Sequence, residues 1–280
     1  MAVADAPRRF RGWTSPGPRP PGGIEPEEGE TLDALGGDFR IFQLAGGHRY
    51  STDDLLVAWY GTTWAGRVEK ALDLGSGIGS VAMLAAWRLP GARFVTVEAQ
   101  EESLRLARKS VRYNGLTERF TLLHGDLRDE SVLAGEEPFD LVLGSPPYYP
   151  PGTATPAAHE QTIPARFEMR GDVADYARAG ARALAPGGLF ACVHPAARAE
   201  DAVRAFADAG LAVLRARDVV FREDEAPRIR LWACVRAADL PEDLARAAGF
   251  LEPPLVVRLR DGSRSREYAA IRVTMGYPPG

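Results

Sequence analysis

Two short stretches of this 280-residue sequence carry residue types that could do chemistry together. The first is Asp73-Leu74-Gly75-Ser76-Gly77-Ile78-Gly79. A short apolar run from Val68 to Leu74 ends there, and a helical pattern with Val81, Leu84 and Ala85 on one face begins just beyond it. Gly75, Gly77 and Gly79 let the backbone approach a ligand closely and accept positive φ. They would equally suit a tight strand-to-helix turn that binds nothing. A dinucleotide fingerprint wants a third glycine where this chain has Ser80, and it sets a pyrophosphate at the helix start. Asp73 would repel that group and suits a cationic amine instead. Glu98, at the end of the next apolar run, can accept from both hydroxyls of a ribose. Asp126, with Leu127 beside it, can accept from an adenine amine. A cation, a diol and an adenine describe S-adenosylmethionine better than a nicotinamide cofactor.

The second stretch is Ser145-Pro146-Pro147-Tyr148-Tyr149-Pro150. As structure alone, its prolines stop a strand and its tyrosines cover the core. Placed after a cofactor turn, it faces a transferable methyl group. An exocyclic amine on a base is a poor nucleophile, because its lone pair is delocalised into the ring. The Ser145 hydroxyl and the Pro146 carbonyl would accept its two N–H groups and aim that lone pair, while Tyr148 stacks on the base. Ser145, Pro146, Pro147 and Tyr148 are therefore the candidate catalytic residues. Their work would be positioning and charge stabilisation rather than general base catalysis, and it requires no metal.

Both stretches need strand ends to carry them, and the surrounding pattern supplies strands. After Val68–Leu74, the sequence predicts strands at Phe94–Val97, Phe120–Leu123, Phe139–Leu143, Leu189–Val193, Ala212–Phe221 and Ile229–Val235. Helices are predicted at Glu101–Tyr113, stopped by Asn114-Gly115, at Asp172–Leu184 and at Ala199–Ala209. The expected fold is α/β and Rossmann-like: a mostly parallel seven-stranded sheet with an antiparallel last strand and helices on both faces. Its ligand crevice then lies at the carboxyl ends of the strands, where both chemical stretches fall. Pro186-Gly187-Gly188 reads as a turn. Residues 1–30, rich in Pro and Gly, read as a disordered tail with a basic start (Arg8, Arg9, Arg11) and an acidic end.

Composition narrows the class. With 45% hydrophobic and 26% charged residues, the chain is an ordinary globular protein. A formal charge of −4 argues against a general nucleic-acid coat protein, without excluding a local basic face. Of the 34 basic residues, only Lys70 and Lys109 are lysine, so arginine abundance is a compositional bias. Clustering says more. Arg258, Arg260, Arg264, Arg266 and Arg272, with Arg228 and Arg230 earlier, form either an RNA-facing patch or a solvated face. Cys192 and Cys234 make no disulfide framework, and His48, His124, His159 and His194 form no metal-ligand pattern. No run of about 18 apolar residues and no signal peptide is evident, nor is a Gly-x-Ser-x-Gly elbow. A cytoplasmic protein without membrane or metal partners is expected.

With these motifs in place, the chain resembles the valine-tRNA adenine-N6 methyltransferase family of class I methyltransferases. The Ser-Pro-Pro-Tyr loop is similar to the (Asn/Asp/Ser)-Pro-Pro-(Tyr/Phe/Trp) motif of enzymes that methylate planar amino nitrogens. Thr31–Leu35 followed by Asp38–Gln43 is similar to that family's N-terminal stretch, and Arg49 to Leu56 to the segment capping its cofactor, with Asp53 at its acidic position. Ala165-Arg166-Phe167-Glu168 and Arg266-Glu267-Tyr268 add further likeness. The resemblance covers about residues 31–272. It implies a cap at 31–68, a cofactor domain at 69–237 and a C-terminal extension at 238–280. It also implies cofactor-binding roles for Asp53, Asp73, Gly75, Gly77, Gly79, Glu98, Asp126 and Leu127, and methyl transfer to N6 of adenine 37 in a tRNA anticodon loop. The family usually has Asn where this chain has Ser145; serine is still an acceptor, but shorter and without the rigid amide. Two other functions fit part of the pattern: glutamine-amide methylation of a protein, and a cofactor-binding RNA-interaction protein that has lost catalysis.

Overall fold

Helix starts follow the local chemistry of the chain in the computed structural model, which describes residues 9–10, 12–148, 171–245 and 249–279. Helix α1 (Thr52–Trp64) begins with a capping box, in which Ser51 and Asp54 each satisfy the other's backbone N–H. Strand β3 (Lys70–Leu74) leads into α2 (Ser80–Arg88). That helix starts at Gly79, which is left-handed and has no side chain to cap with. Asp73 takes over the task, accepting the Ala82 N–H at 3.0 Å. Helix α3 spans Glu101–Tyr113, as expected. Asn114 closes it, and Gly115 turns the chain away with φ of +68°. Helix α4 (Val173–Ala183) is capped by Asp172, and α5 spans Ala199–Asp208.

The remaining sheet strands are β4 (Arg93–Glu98), β5 (Phe120–His124), β6 (Phe139–Gly144), β7 (Leu184–Pro195), β8 (Leu211–Arg222), β9 (Ile229–Arg236) and β10 (Phe250–Arg258). Their order is β10-β8-β9-β7-β6-β3-β4-β5. The sheet therefore has eight strands rather than seven. The added one, β10, pairs in parallel with β8, and β9 runs antiparallel to both its neighbours. Pro186-Gly187-Gly188 is not a free turn. It lies inside β7 as an irregularity where the pairing with β6 shifts. Strand order reverses between β3 and β6, so the loops after these two strands face each other across the crevice.

Alternate residues of each strand feed two apolar layers. Ala71, Phe94, Leu141 and Ala191 pack with α1, α2 and α3, and with α6 (Arg266–Thr274). Leu72, Val95, Val142 and Phe190 pack with α4 and α5. Both faces are thereby covered, as a largely parallel sheet requires. A separate hairpin, β1 (Glu30–Ala34) with β2 (Arg40–Leu44), lies against α3, where Ser110 accepts the Phe42 N–H and Asn114 bonds both backbone groups of Arg40. The Pro/Gly-rich lead-in is held rather than free over its described part. Gly22 bonds the Tyr113 carbonyl, and Lys109 gathers the Glu25 carbonyl, Glu27 and Glu30. No described helix is long and apolar enough to cross a membrane.

Candidate active site

The loops after β3 and β6 and the start of α1 enclose a cavity of about 620 Å³, within the ~300–1,000 Å³ of small-molecule sites. Every site residue expected from the sequence lines it except Gly79 and Asp126. Gly79 serves as the left-handed start of α2. The Asp126 carboxylate is clamped by Arg128 through bonds of 2.9 and 2.6 Å, and its neighbours Gly125 and Leu127 line the wall in its place. Tyr149, Pro150, His159 and residues 165–168 lie outside the described residues, as do Arg8 and Arg11.

Two of the glycines are needed for different reasons. At Gly75, with φ of +59°, a Cβ would stand 1.9 Å from the Tyr176 hydroxyl. Gly77, with φ of +55°, has nothing within 4 Å of the same position. Its missing side chain leaves backbone bare towards the cavity, and its N–H donates to Glu98 at 2.8 Å. The other Glu98 oxygen accepts the Gln100 N–H at 2.6 Å. Glu98 thus fixes the glycine loop at the cavity wall.

Among the described residues, four carboxylates surround this one cavity: Asp53, Asp54, Asp73 and Glu98. Burial raises Asp54 to about 6 against the pull of the Ser51 N–H and the Ser80 hydroxyl. Burial likewise raises Asp53 to about 6; the nearby Asp54 adds to the rise, while the Tyr148 hydroxyl and Arg228 oppose it. Asp73 is driven well above the carboxylate range by burial, with Asp54 and Glu98 adding repulsion. Such a cluster is held at a cost that a cationic ligand would relieve. The Ser76 hydroxyl, buried in the same wall, has no partner among the described residues. Carboxylates for a cation and a diol, bare backbone and an unused hydroxyl together fit S-adenosylmethionine.

At the other end stand Ser145, Pro146, Pro147 and Tyr148. The Tyr148 hydroxyl donates to Asp53 at 2.6 Å, joining the loop after β6 to the first turn of α1. Arg198 donates to the Tyr148 carbonyl at 3.2 Å, and His194 meets the ring edge-on at 6.3 Å between centroids. Burial, with Arg198 nearby, lowers His194 to about 4, so it is neutral at pH 7. Sequence reasoning did not assign Tyr176, Arg198, Phe221 or Arg228 to this wall. They arrive from four separate places in the chain, and only the tertiary fold joins them. The capping-box spacing Ser51-x-x-Asp54 was the one readable signal for Asp54.

Residues 54–167 match the methyltransferase small domain family. A tRNA1(Val) (adenine(37)-N6)-methyltransferase of Porphyromonas gingivalis is 33% identical over 136 residues, covering 45% of this chain and 53% of that protein. The chain thus spans about half the length of that relative. The protein of the same name from Aeromonas hydrophila is 32% identical over 190 residues, covering 65% of this chain and 75% of the relative. A ribosomal protein uL3 glutamine methyltransferase of Bradyrhizobium diazoefficiens is 40% identical over a shorter stretch of 81 residues, 29% of this chain and 24% of that one. Among solved structures, a predicted O-methyltransferase from Agrobacterium tumefaciens superposes with a TM-score of 0.62 at 19% identity, covering 81% of this chain and 98% of its own. That likeness is one of fold. The match across three quarters of the Aeromonas protein goes further: the chain belongs to the tRNA1(Val) (adenine(37)-N6)-methyltransferase family, among the S-adenosylmethionine-dependent class I methyltransferases.

Proposed function

We propose that this protein transfers a methyl group from S-adenosylmethionine to the exocyclic N6 of an adenine in a tRNA anticodon loop, in the cytoplasm. The observation that carries the proposal is the placement of Ser145–Tyr148 in one cavity with Asp73, Glu98 and the glycine loop. S-adenosylmethionine, when bound, supplies a methyl already activated by a positively charged sulfur. Asp73 would hold its amino group and Glu98 its ribose, with bare backbone at Gly77 against the chain between them. Asp126 is tied to Arg128, so selection of the cofactor's adenine falls to the wall at Gly125 and Leu127.

Ser145 and the Pro146 carbonyl accept the two N–H groups of the target amine. Tyr148 stacks on the base, its ring angle fixed by the hydroxyl bond to Asp53. Ser145 and the Pro146 carbonyl would keep the nitrogen's N–H groups oriented while it accepted the methyl that the bound cofactor supplies, and the proton the nitrogen sheds would leave to solvent. The rate gain comes from orientation and charge, with no base required. An unpaired loop nucleotide reaches such a pocket at lower cost than a paired one.

Tritium transfer from labelled cofactor into bulk tRNA lacking the modification, followed by nucleoside analysis, tests this reading. Label in N6-methyladenosine is expected. The shorter match to a glutamine methyltransferase supports a second reading, methylation of a protein amide. Label recovered in protein and absent from RNA would favour it and overturn the first.

A further inference from the structure

A second concavity, of about 410 Å³, adjoins the first and shares Phe221 and Arg228 with it. Among the described residues, five arginines line it (Arg222, Arg228, Arg258, Arg264 and Arg272), and Glu225 is the one carboxylate. Their placement follows from topology. Strands β8 and β10 run parallel to each other and to the cofactor-binding strands. Their carboxyl ends, Arg222 and Arg258, therefore lie on the same edge of the sheet as Ser145. Thr52, beside Asp53 at the start of α1, closes the gap between the two cavities.

The arginines are set against one another. Arg222 and Arg258 face each other across the pair β8–β10, and Arg258 is bridged in turn to Arg264, making a row of three. Like charges directly opposite in a sheet are destabilising. Among the described residues, none of the five guanidinium groups has a carboxylate within ion-pairing distance. Arg264 is pulled below its ordinary range by burial, then by Arg272 and Arg258. The Arg272 Nε is buried without a partner among the described residues. Neighbouring arginines are treated differently. Arg260 is neutralised by Asp224, and Arg230 by Asp218. The carboxylates Glu223 and Asp224 are thereby occupied next to the cleft, one by the Arg260 backbone and one by its side chain.

A repelling row that the fold does not neutralise calls for an anionic occupant. We propose that this cleft binds the phosphodiester backbone of the RNA strand next to the target nucleotide, with Arg222, Arg258 and Arg264 on its phosphates and Arg228 at the passage into the methyl-transfer cavity. The proposal rests on the RNA-methylating reading and adds to it the surface that holds the strand. It separates the five arginines clustered late in the sequence. Arg258, Arg264 and Arg272 face the cleft, Arg260 does not, and Arg266 opens α6.

The test uses the full chain and two variants, R222Q/R264Q and R222K/R264K, with a labelled anticodon stem-loop RNA as probe. Anisotropy titrations across a salt series report binding, calorimetry reports the affinity for S-adenosylhomocysteine, and tritium transfer reports activity. The Gln variant is expected to bind RNA at least tenfold more weakly. Its slope of log affinity against log salt should be shallower by about 0.7 for each phosphate it no longer engages. It should melt no lower than the parent, since repulsion is removed, and bind S-adenosylhomocysteine unchanged. The Lys variant keeps the charge and should keep most of the slope. An unchanged slope in the Gln variant overturns the cleft, and methyl transfer to RNA by the parent would still stand. RNA binding abolished in the Gln variant, with no transfer to adenine by the parent, supports the cleft and overturns the reaction. No RNA binding by the parent overturns the cleft outright.

Discussion

Replacing Asp54 by Asn should make the ligand-free protein more stable, because Asp54 is buried in the cavity wall at an energetic loss. Both of its bonds, from the Ser51 N–H at 3.0 Å and the Ser80 hydroxyl at 3.1 Å, reach the same oxygen. An amide oxygen in that place keeps both and retains the helix cap. In the folded chain Asp54 holds its proton up to about pH 6, against an ordinary value of 3.8. Between these two pH values the folded state binds more protons than the unfolded one. Stability therefore falls as pH rises through that window, and the whole loss is present above pH 6. A window about two pH units wide corresponds to roughly 3 kcal/mol. In a chain of this size that is roughly 6–12 °C in melting temperature, at ~2–4 °C per kcal/mol. Asp54→Asn should gain that much at pH 7.5 and about half of it at pH 5. Thermal melts of both proteins without cofactor, at the two pH values, make the measurement. A variant no more stable than its parent at pH 7.5, or one whose gain is the same at pH 5, would refute the account. The expected counterpart is weaker S-adenosylmethionine binding, since the destabilising charge is what a cationic ligand meets.

Other outcomes follow from the same geometry. Ser145→Ala should bind cofactor normally and transfer methyl about 10²-fold more slowly, the scale of removing one stabilising hydrogen bond. Ser145→Asn should retain or raise the rate; equal rates for the Ala variant and the parent would remove Ser145 from the mechanism. Gly75→Ala should abolish cofactor binding, because the methyl meets the Tyr176 hydroxyl at 1.9 Å and the left-handed backbone costs about 1–2 kcal/mol more; normal calorimetric affinity would contradict this. Because burial holds Asp53, Asp54 and Asp73 above the usual carboxylate range, a cationic ligand should lower them and expel protons. Calorimetry of S-adenosylmethionine near pH 6, in buffers of different ionisation enthalpy, should register that release, with affinity rising from pH 5 to 7.

Much of the fold was legible because its signals are local. Glu101–Tyr113 was read to the residue: its apolar face is regular and Asn114-Gly115 ends it chemically. The glycine loop and the Ser-Pro-Pro-Tyr loop were readable because few residue types tolerate those backbones. Strand β10 was not, for a physical reason. Pro253 and Pro254 argue against a strand, yet they sit where pairing with β8 slips from Arg217–Glu252 to Val219–Leu255, on the outermost strand of the sheet. Proline is tolerated there because one side of the strand needs no donors. Asp126 lies on the expected loop, where it pairs with Arg128 two residues on, a contact that the motif spacing alone does not show. Tyr176 and Arg198 carried no local signal. Their place in the cavity depends on how α4 and α5 fold back over the sheet.

That outermost strand also sets an order of events during synthesis. Residues 70–148, with the cofactor strands and both chemical loops, leave the ribosome contiguously and ahead of β8. Strand β8 then emerges with β9 and waits for a partner on its other side until Phe250–Arg258 arrives. At ~5–20 residues per second, the chain between the end of β8 and the end of β10 takes a few seconds to make. For that interval β8 is an unprotected edge, the kind of surface that recruits other nascent strands. Ribosomes stalled within this window should release chains that pair with one another, and a peptide of the β10 sequence supplied in trans should suppress it.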